Sequence, residues 1–240
     1  MQFLVQKEIR KGEIFILDEN ETFHLKKVLR IERGEIIKVF DGKRKWECRI
    51  VDFRDKKAFL EVLKEISENE KPLINLYFPF IERKLFEEII RRGVEIGVYG
   101  FHPVITDFTQ RNFIFDIKTK KERLDRIIKS SIKQSEISFV PFIFDPLNID
   151  ELPFKTEKFI LMTPYPLNGK IHRFSDIVDL IKKENKINLL VGPEGGFSDR
   201  EKNIFNSFAD SIIPVKISYN ILRVETACIV SCGAILSLKV

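Results

Sequence analysis

Leu189-Leu190-Val191-Gly192-Pro193-Glu194-Gly195-Gly196-Phe197-Ser198-Asp199-Arg200-Glu201 is the stretch from which the fold of this chain is read. Ile187 to Val191 is an apolar run of strand length, interrupted only by Asn188, and reads as a buried strand. Gly192-Pro193-Glu194-Gly195-Gly196 cannot continue it; the glycines permit a sharp turn and let a ligand lie against bare backbone. Ser198 and Glu201 have the spacing of a capping box, so a helix starts there. The unit is strand, glycine turn, helix N-terminus, with free amide N–H groups facing one space. A plain junction of an α/β protein accounts for the glycines alone. The pattern is neither a dinucleotide nor a P-loop fingerprint. Glu194 in mid-turn would repel a phosphate, which points to a neutral or cationic ligand.

The rest of the chain supports an α/β reading. Its 240 residues are 44% hydrophobic, ample for a core, and the 22 phenylalanines read as core filling. The charged fraction of 32% is rich in Lys and Glu, and the formal charge of +5 permits a nucleic-acid partner without requiring one. Cys48, Cys228 and Cys232 form no C-x-x-C pair; Cys228 and Cys232, one helical turn apart, read as a packed helix face, since no nearby His completes a metal site. The first residues lack a signal-peptide pattern and no apolar run reaches membrane-spanning length, so a reduced, cytoplasmic setting without membrane or metal is expected.

Residues 1 to about 66 alternate in short apolar segments, Gln2–Val5, Ile14–Leu17, Glu35–Phe40, Trp46–Phe53 and Ala58–Ile66, with a hairpin signal at Asp41-Gly42. They predict a small β-barrel or sandwich, interrupted by a helical piece at Glu21–Leu29. Its Lys26, Lys27 and Arg30 are either a phosphate-contacting edge or a solvated face. Ser67–Pro72 reads as a linker. From Leu73 the period changes. Strands at Leu73–Phe80, Gly97–Phe108, Phe139–Phe144, Phe159–Thr163, Ile187–Val191 and Ile212–Ile217 alternate with helices at Ile81–Arg92, Lys118–Gln134, Ser175–Lys183 and Ser198–Phe208. That alternation predicts a mostly parallel sheet with helices on both faces. Ligands of such sheets bind at the carboxyl ends of strands, so the loops after Thr163, Val191 and Ile217 converge on one pocket if their strands are neighbours. The last helix, after Arg223, is dense in small residues and short of charge, and reads as buried nearly all round. Arg223 and Glu225 at its mouth either pair with each other, cap the helix, or have chemical work.

Val-Gly-Pro-Glu-Gly-Gly-Phe-Ser-x-x-Glu (191–201) and Ile-Leu-Arg-x-Glu-Thr-Ala (221–227) together resemble the signature of the bacterial 16S rRNA uridine-N3 methyltransferase family, of the knotted SPOUT superfamily. Phe23–Arg30 with Gly34 and Asp41-Gly42 is similar to that family's N-terminal PUA-like barrel, and Lys84, Glu95–Val98, Pro103, Arg111, Arg123 and Gln134-Ser135 also match, so the likeness covers essentially the whole chain. The resemblance implies a SPOUT-type knotted, mostly parallel α/β domain at 73–240 and a PUA-like, RNA-docking β-barrel at 1–68. It implies S-adenosyl-L-methionine as methyl donor, a uridine near the 3′ end of 16S rRNA in the small ribosomal subunit as acceptor, and a homodimer. Donor-binding residues carried over are Met162, Thr163 and Pro164, Gly192, Pro193, Glu194, Gly195 and Gly196, and Ile217, Ser218, Asn220, Ile221 and Leu222. Arg223 and Glu225 take the catalytic places, and Lys26, Lys27, Arg30 and Arg111 the RNA side. The chain departs from the family at Ile217-Ser218-Tyr219-Asn220, where Leu-Gly-x-Arg is usual, at Val224 for Thr, and at Ile137 for Arg. The alternative is an RNA-binding protein of the same architecture with weakened catalysis.

Overall fold

A computed structural model of the protein describes residues 2–67 and 73–239. The expected linker Ser67–Pro72 lies outside the described residues except for Ser67. Its packing divides the chain into two compact units, Met1–Glu70 with Lys129–Val140, and Lys71–Ile128 with Pro141–Val240.

The first unit is a five-stranded sheet. Its strands β1 (Gln2–Leu4), β2 (Ile14–Leu17), β3 (Ile36–Phe40), β4 (Lys45–Arg54) and β5 (Lys57–Ile66) lie in the order β1-β3-β4-β5-β2. β1 runs parallel to β3 and the other pairs are antiparallel. The alternating sequence puts Val39, Trp46, Cys48, Ile50, Leu60 and Val62 in one core. The helical piece differs from expectation. It is a short helix α1 (Glu19–Phe23), N-capped by Asp18, that runs into a π-helical turn at His24–Val28. Leu25 is buried there, while Phe23 and Val28 are exposed. Lys129–Val140 joins this unit rather than the other: the buried Gln2 amide donates to the carbonyls of Ile132 and Ile137 at 3.1 and 2.8 Å, and Lys133 pairs with Glu21. The sequence reading places all of 73–240 in one domain, because nothing local to 129–140 marks its partners.

The second unit holds the parallel sheet. In chain order come β6 (Leu73–Pro79), α2 (Arg83–Ile96), β7 (Gly100–Ile105), α3 (Lys121–Ser135, of which the residues up to Ile128 belong to this unit), β8 (Phe142–Ile143), β9 (Leu147–Asn148), β10 (Phe159–Met162), β11 (His172–Arg173), α4 (Val178–Lys183), β12 (Lys186–Val191), α5 (Asp199–Ser207), β13 (Ile212–Lys216) and α6 (Val224–Ser237). The strand order is β11-β13-β10-β12-β6-β7-β8, with β9 also on β7, and every pair is parallel. β10 therefore has β12 on one side and β13 on the other. Met162 is in register with both Val191 and Val215, so the three chains leave the sheet at one level.

Two local features depart from the sequence reading. α2 does not stop at Gly93 but continues to Ile96. Gly93 is there for close approach: a methyl group on it would lie 2.5 Å from Cε1 of the buried Phe101 ring. α6 is buried along one face only, through Val224, Cys228, Ser231, Cys232 and Ile235, whereas Thr226 and Val230 are exposed.

The sheet also carries a polar ladder near the amino ends of its strands. Asn75 Nδ2 donates to Asn188 Oδ1 at 3.1 Å across the β6–β12 pair, where the two residues are in register. Asn188 in turn donates to Glu157 at 2.7 Å, and Glu157 is paired with Lys186. His102, stacked between Tyr77 and Phe144, places Nε2 3.4 Å from Asn75 Oδ1. Burial pushes the imidazole down to about 4, so it is neutral at physiological pH and Nε2–H donates to that oxygen.

Alanine normally favours a helix over glycine, so Gly93→Ala tests the packing against the propensity. The variant is expected to lose about 1–3 kcal/mol of stability through overpacking, seen as a lower urea midpoint at unchanged slope.

Candidate active site

The loops that follow β10, β12 and β13 enclose a cavity of about 210 Å³. Met162, Thr163 and Pro164 line it from the first loop, Gly192, Pro193, Glu194, Gly195 and Gly196 from the second, and Ile217, Ser218, Asn220, Ile221 and Leu222 from the third. Sequence reasoning missed Tyr165, Pro166, Leu167, Lys202 and Phe205, which line it too, as do Val224 and Ala227 at the start of α6. The shared register of the strands is what brings residues far apart in the chain to one hollow.

The glycine turn is tight. Gly196 N–H donates to the Pro193 carbonyl at 2.9 Å and Gly196 has a left-handed φ of 71°. Gly192 has no room for a side chain, because a methyl group there would lie 2.6 Å from the Phe197 ring. Phe197 is fixed edge-on to Phe205 at 4.7 Å between centroids, which pins the turn to α5. Among the described residues the amides of Glu194 and Gly195 have no hydrogen-bond partner, and the exposed Glu194 adds a negative charge at the rim.

The capping box forms as its spacing implies. Ser198 Oγ accepts from Glu201 N–H at 3.1 Å, and Ser198 N–H donates to Glu201 Oε2 at 2.8 Å. Glu201 is completely buried, and its other oxygen accepts the Asp107 N–H at 2.9 Å. That bond ties the loop after β7 to the glycine turn, and it has no signature in the sequence. Asp107 closes the clamp: Arg200 donates to its two carboxylate oxygens at 2.6 and 3.0 Å, and Ser198 Oγ donates as well. The Arg200 guanidinium, then the Ser198 hydroxyl, hold the Asp107 carboxyl down to about 2. Because its value is lowered on folding, the clamp is fully present above the ordinary carboxylate value and is lost as pH falls toward 2.

The two residues assigned to chemistry sit beside the cavity rather than among its lining. Arg223 is the N-cap of α6; it is exposed and makes no ion pair among the described residues. Glu225 lies in the first turn, with Oε2 buried and without a hydrogen-bond partner. They do not pair with each other. Arg123, also noted in the sequence, is held by Glu87 through two hydrogen bonds. Arg111 is exposed in a 3₁₀ turn of this unit, Arg111–Phe113. Lys26, Lys27 and Arg30 are exposed on the first unit, with Lys26 Nζ 5.1 Å above the Phe53 ring. No group of three or more metal-ligating side chains is found among the described residues.

The family model for an RNA methyltransferase domain matches residues 68–236, and a second, for an RNA methyltransferase PUA domain, matches 17–63. A ribosomal RNA small subunit methyltransferase E from Synechocystis is 31% identical over 216 residues, covering 86% of this chain and 67% of that protein. The chain belongs to this RNA methyltransferase family. The relative of the same name from Aquifex aeolicus is 29% identical and is matched over 92% of this chain and 93% of its own. Among solved structures, a ribosomal RNA small subunit methyltransferase E from Neisseria gonorrhoeae bound to S-adenosyl methionine is 27% identical, with a TM-score of 0.77 over 99% of this chain and 97% of that one. The α/β fold with a PUA-like domain, expected from the sequence, is thereby established for this methyltransferase.

The cysteines of this RNA methyltransferase are placed to be inert. All three are buried, and burial pushes Cys48 and Cys232 up to about 12 and Cys228 well above its ordinary value. Iodoacetamide at pH 8 is expected to label none of them in the folded protein and all of them in guanidinium, as read by intact-mass spectrometry.

Proposed function

We propose that this enzyme transfers a methyl group from S-adenosyl-L-methionine to N3 of a uridine near the 3′ end of 16S rRNA in the small ribosomal subunit. The observation that carries the reading is the convergence of three strand-end loops, all carrying the residues assigned to the donor, on one cavity. The Neisseria relative was solved bound to S-adenosyl methionine, and the chemistry of the lining suits such a donor. Leu161, Met162, Leu222 and Ala227 give apolar wall for an adenine, the unpartnered amides of Glu194 and Gly195 meet acceptor atoms, and the Glu194 carboxylate suits a cation. Bound there, S-adenosylmethionine supplies an electrophilic methyl group on a sulfonium.

The chain's own task is to position the acceptor and manage a proton. Uridine N3 must lose its hydrogen as the new N–C bond forms, and negative charge grows on the uracil oxygens. Arg223, exposed and without an internal partner, is the cation for that charge. Glu225, with one carboxylate oxygen buried and unpartnered, assists removal of the proton. Lys26, Lys27, Arg30 and Arg111 meet phosphates. With this reading go a trefoil-knotted chain, a homodimer through the exposed, small-residue side of α6, and a cytoplasmic location. No helix among the described residues is long and apolar enough to cross a membrane.

The deciding experiment is mass spectrometry of rRNA nucleosides from cells with and without the protein; 3-methyluridine should disappear with it, and its persistence overturns the reading. Arg223→Ala is expected to abolish transfer while calorimetry shows donor binding largely retained. Binding to small subunits should weaken steeply as salt rises from about 50 to 200 mM, and Lys26→Ala with Lys27→Ala should flatten the slope of log affinity against log salt by about one for each phosphate no longer neutralised.

A further inference from the structure

The loop after β7 carries an exposed ring against the donor turn. Phe108 is 53% exposed, yet it is not on a loose loop. Asp107, just before it, is fixed by Glu201 through the backbone and by Arg200 and Ser198 through the carboxylate. Thr109, just after it, is fixed too: Thr106 N–H donates to Thr109 Oγ1 at 2.9 Å, and Thr109 N–H donates to the Thr106 carbonyl at 3.0 Å. The ring flanks the glycine turn, with its Cδ2 3.5 Å from where a methyl group on Gly195 would stand. A polar side chain would meet water here without penalty. A large ring held out on a braced turn has a use when another flat group covers it.

Resting on the methyltransferase reading above, we propose that Phe108 is the surface on which a nucleobase of the RNA substrate stacks as it is presented to the donor cavity, with Arg111 taking the phosphate chain beside it. Every nucleobase offers a π face, and stacking on an aromatic ring is the common way proteins grip an unstacked base. The place is right, since the ring flanks Gly195 and Gly195 lines the cavity. Tyr165, 61% exposed and lining the same cavity from the β10 loop, supplies a second aromatic face. Arg111, three residues on, is exposed and unpaired among the described residues, as a phosphate contact requires.

The test uses full-length protein, unmodified small ribosomal subunits and S-adenosylmethionine. Phe108→Leu keeps an apolar side chain beside Gly195 and removes the aromatic face; Phe108→Trp enlarges that face. The Leu variant should bind the donor by calorimetry within about twofold of the native protein while kcat/KM for subunits falls about tenfold or more through KM, and the Trp variant should restore it. The indole at position 108 should be quenched by single-stranded oligouridine, against the constant background of the buried Trp46. Unchanged kcat/KM in the Leu variant overturns the proposal. So does a parallel loss of donor affinity, which would make the ring a wall of the donor site, or an indole that RNA does not quench. Native protein that binds no S-adenosylmethionine overturns the reading underneath instead, and quenching by RNA would then still uphold the stacking surface.

Discussion

The site depends on strands that end in step. β10 is paired in parallel with β12 on one side and β13 on the other, and Met162 faces Val191 and Val215 at the same rung. Parallel pairing makes all three chains emerge from one edge of the sheet, and equal register makes them emerge at one height. Loops that diverge from three adjacent strands at a common height must bound a hollow between them.

A buried carboxylate then fixes the shape of that hollow. Glu201 has no exposure to water, and a charge in such a place is tolerable only with its oxygens satisfied. Each receives a backbone N–H, one from Ser198 in its own capping box and one from Asp107 in a different loop. One side chain thereby closes a helix end and sets a neighbouring loop against it. Phe197, edge-on to Phe205, does by packing what Glu201 does by hydrogen bonding. The Arg200 guanidinium, donating to both Asp107 oxygens, adds an ion pair that holds the same loop.

The parts of the site that were legible in the sequence are those built from neighbours in the chain. The Ser198–Glu201 box needs only its three-residue spacing, and the glycine turn announces itself between an apolar run and that box. The motif Ile221–Ala227 carried the third loop through its likeness to a known family. What was not legible is what depends on distant partners. The Asp107–Arg200 clamp spans 93 positions and leaves no period or motif. That Gly93 serves close packing within α2 rather than a helix stop depends on Phe101, which belongs to the next strand. α6 misled for a related reason: small apolar residues all round a helix show that close approach is permitted, not that this chain alone makes it on every side. The N-terminal strands were readable from alternation, but the π-helical turn at His24–Val28 was not, because its hydrophobic spacing mimics an ordinary helix.

Asn188, the single polar interruption in the opening apolar run, has a consequence for assembly of the sheet. Apolar strands in a parallel sheet can slide past one another with little penalty, because one aliphatic neighbour replaces another. An amide in the middle of such a strand cannot slide. Displaced by a residue, β12 would carry the Asn188 oxygen away from Asn75 and leave the buried Asn75 amide without its acceptor, at about 1–3 kcal/mol. The pair thus favours one register over those that the aliphatic side chains alone would accept. Alignment at the far edge of the sheet, where the three loops enclose the cavity, is thus set in part by polar atoms near the opposite edge.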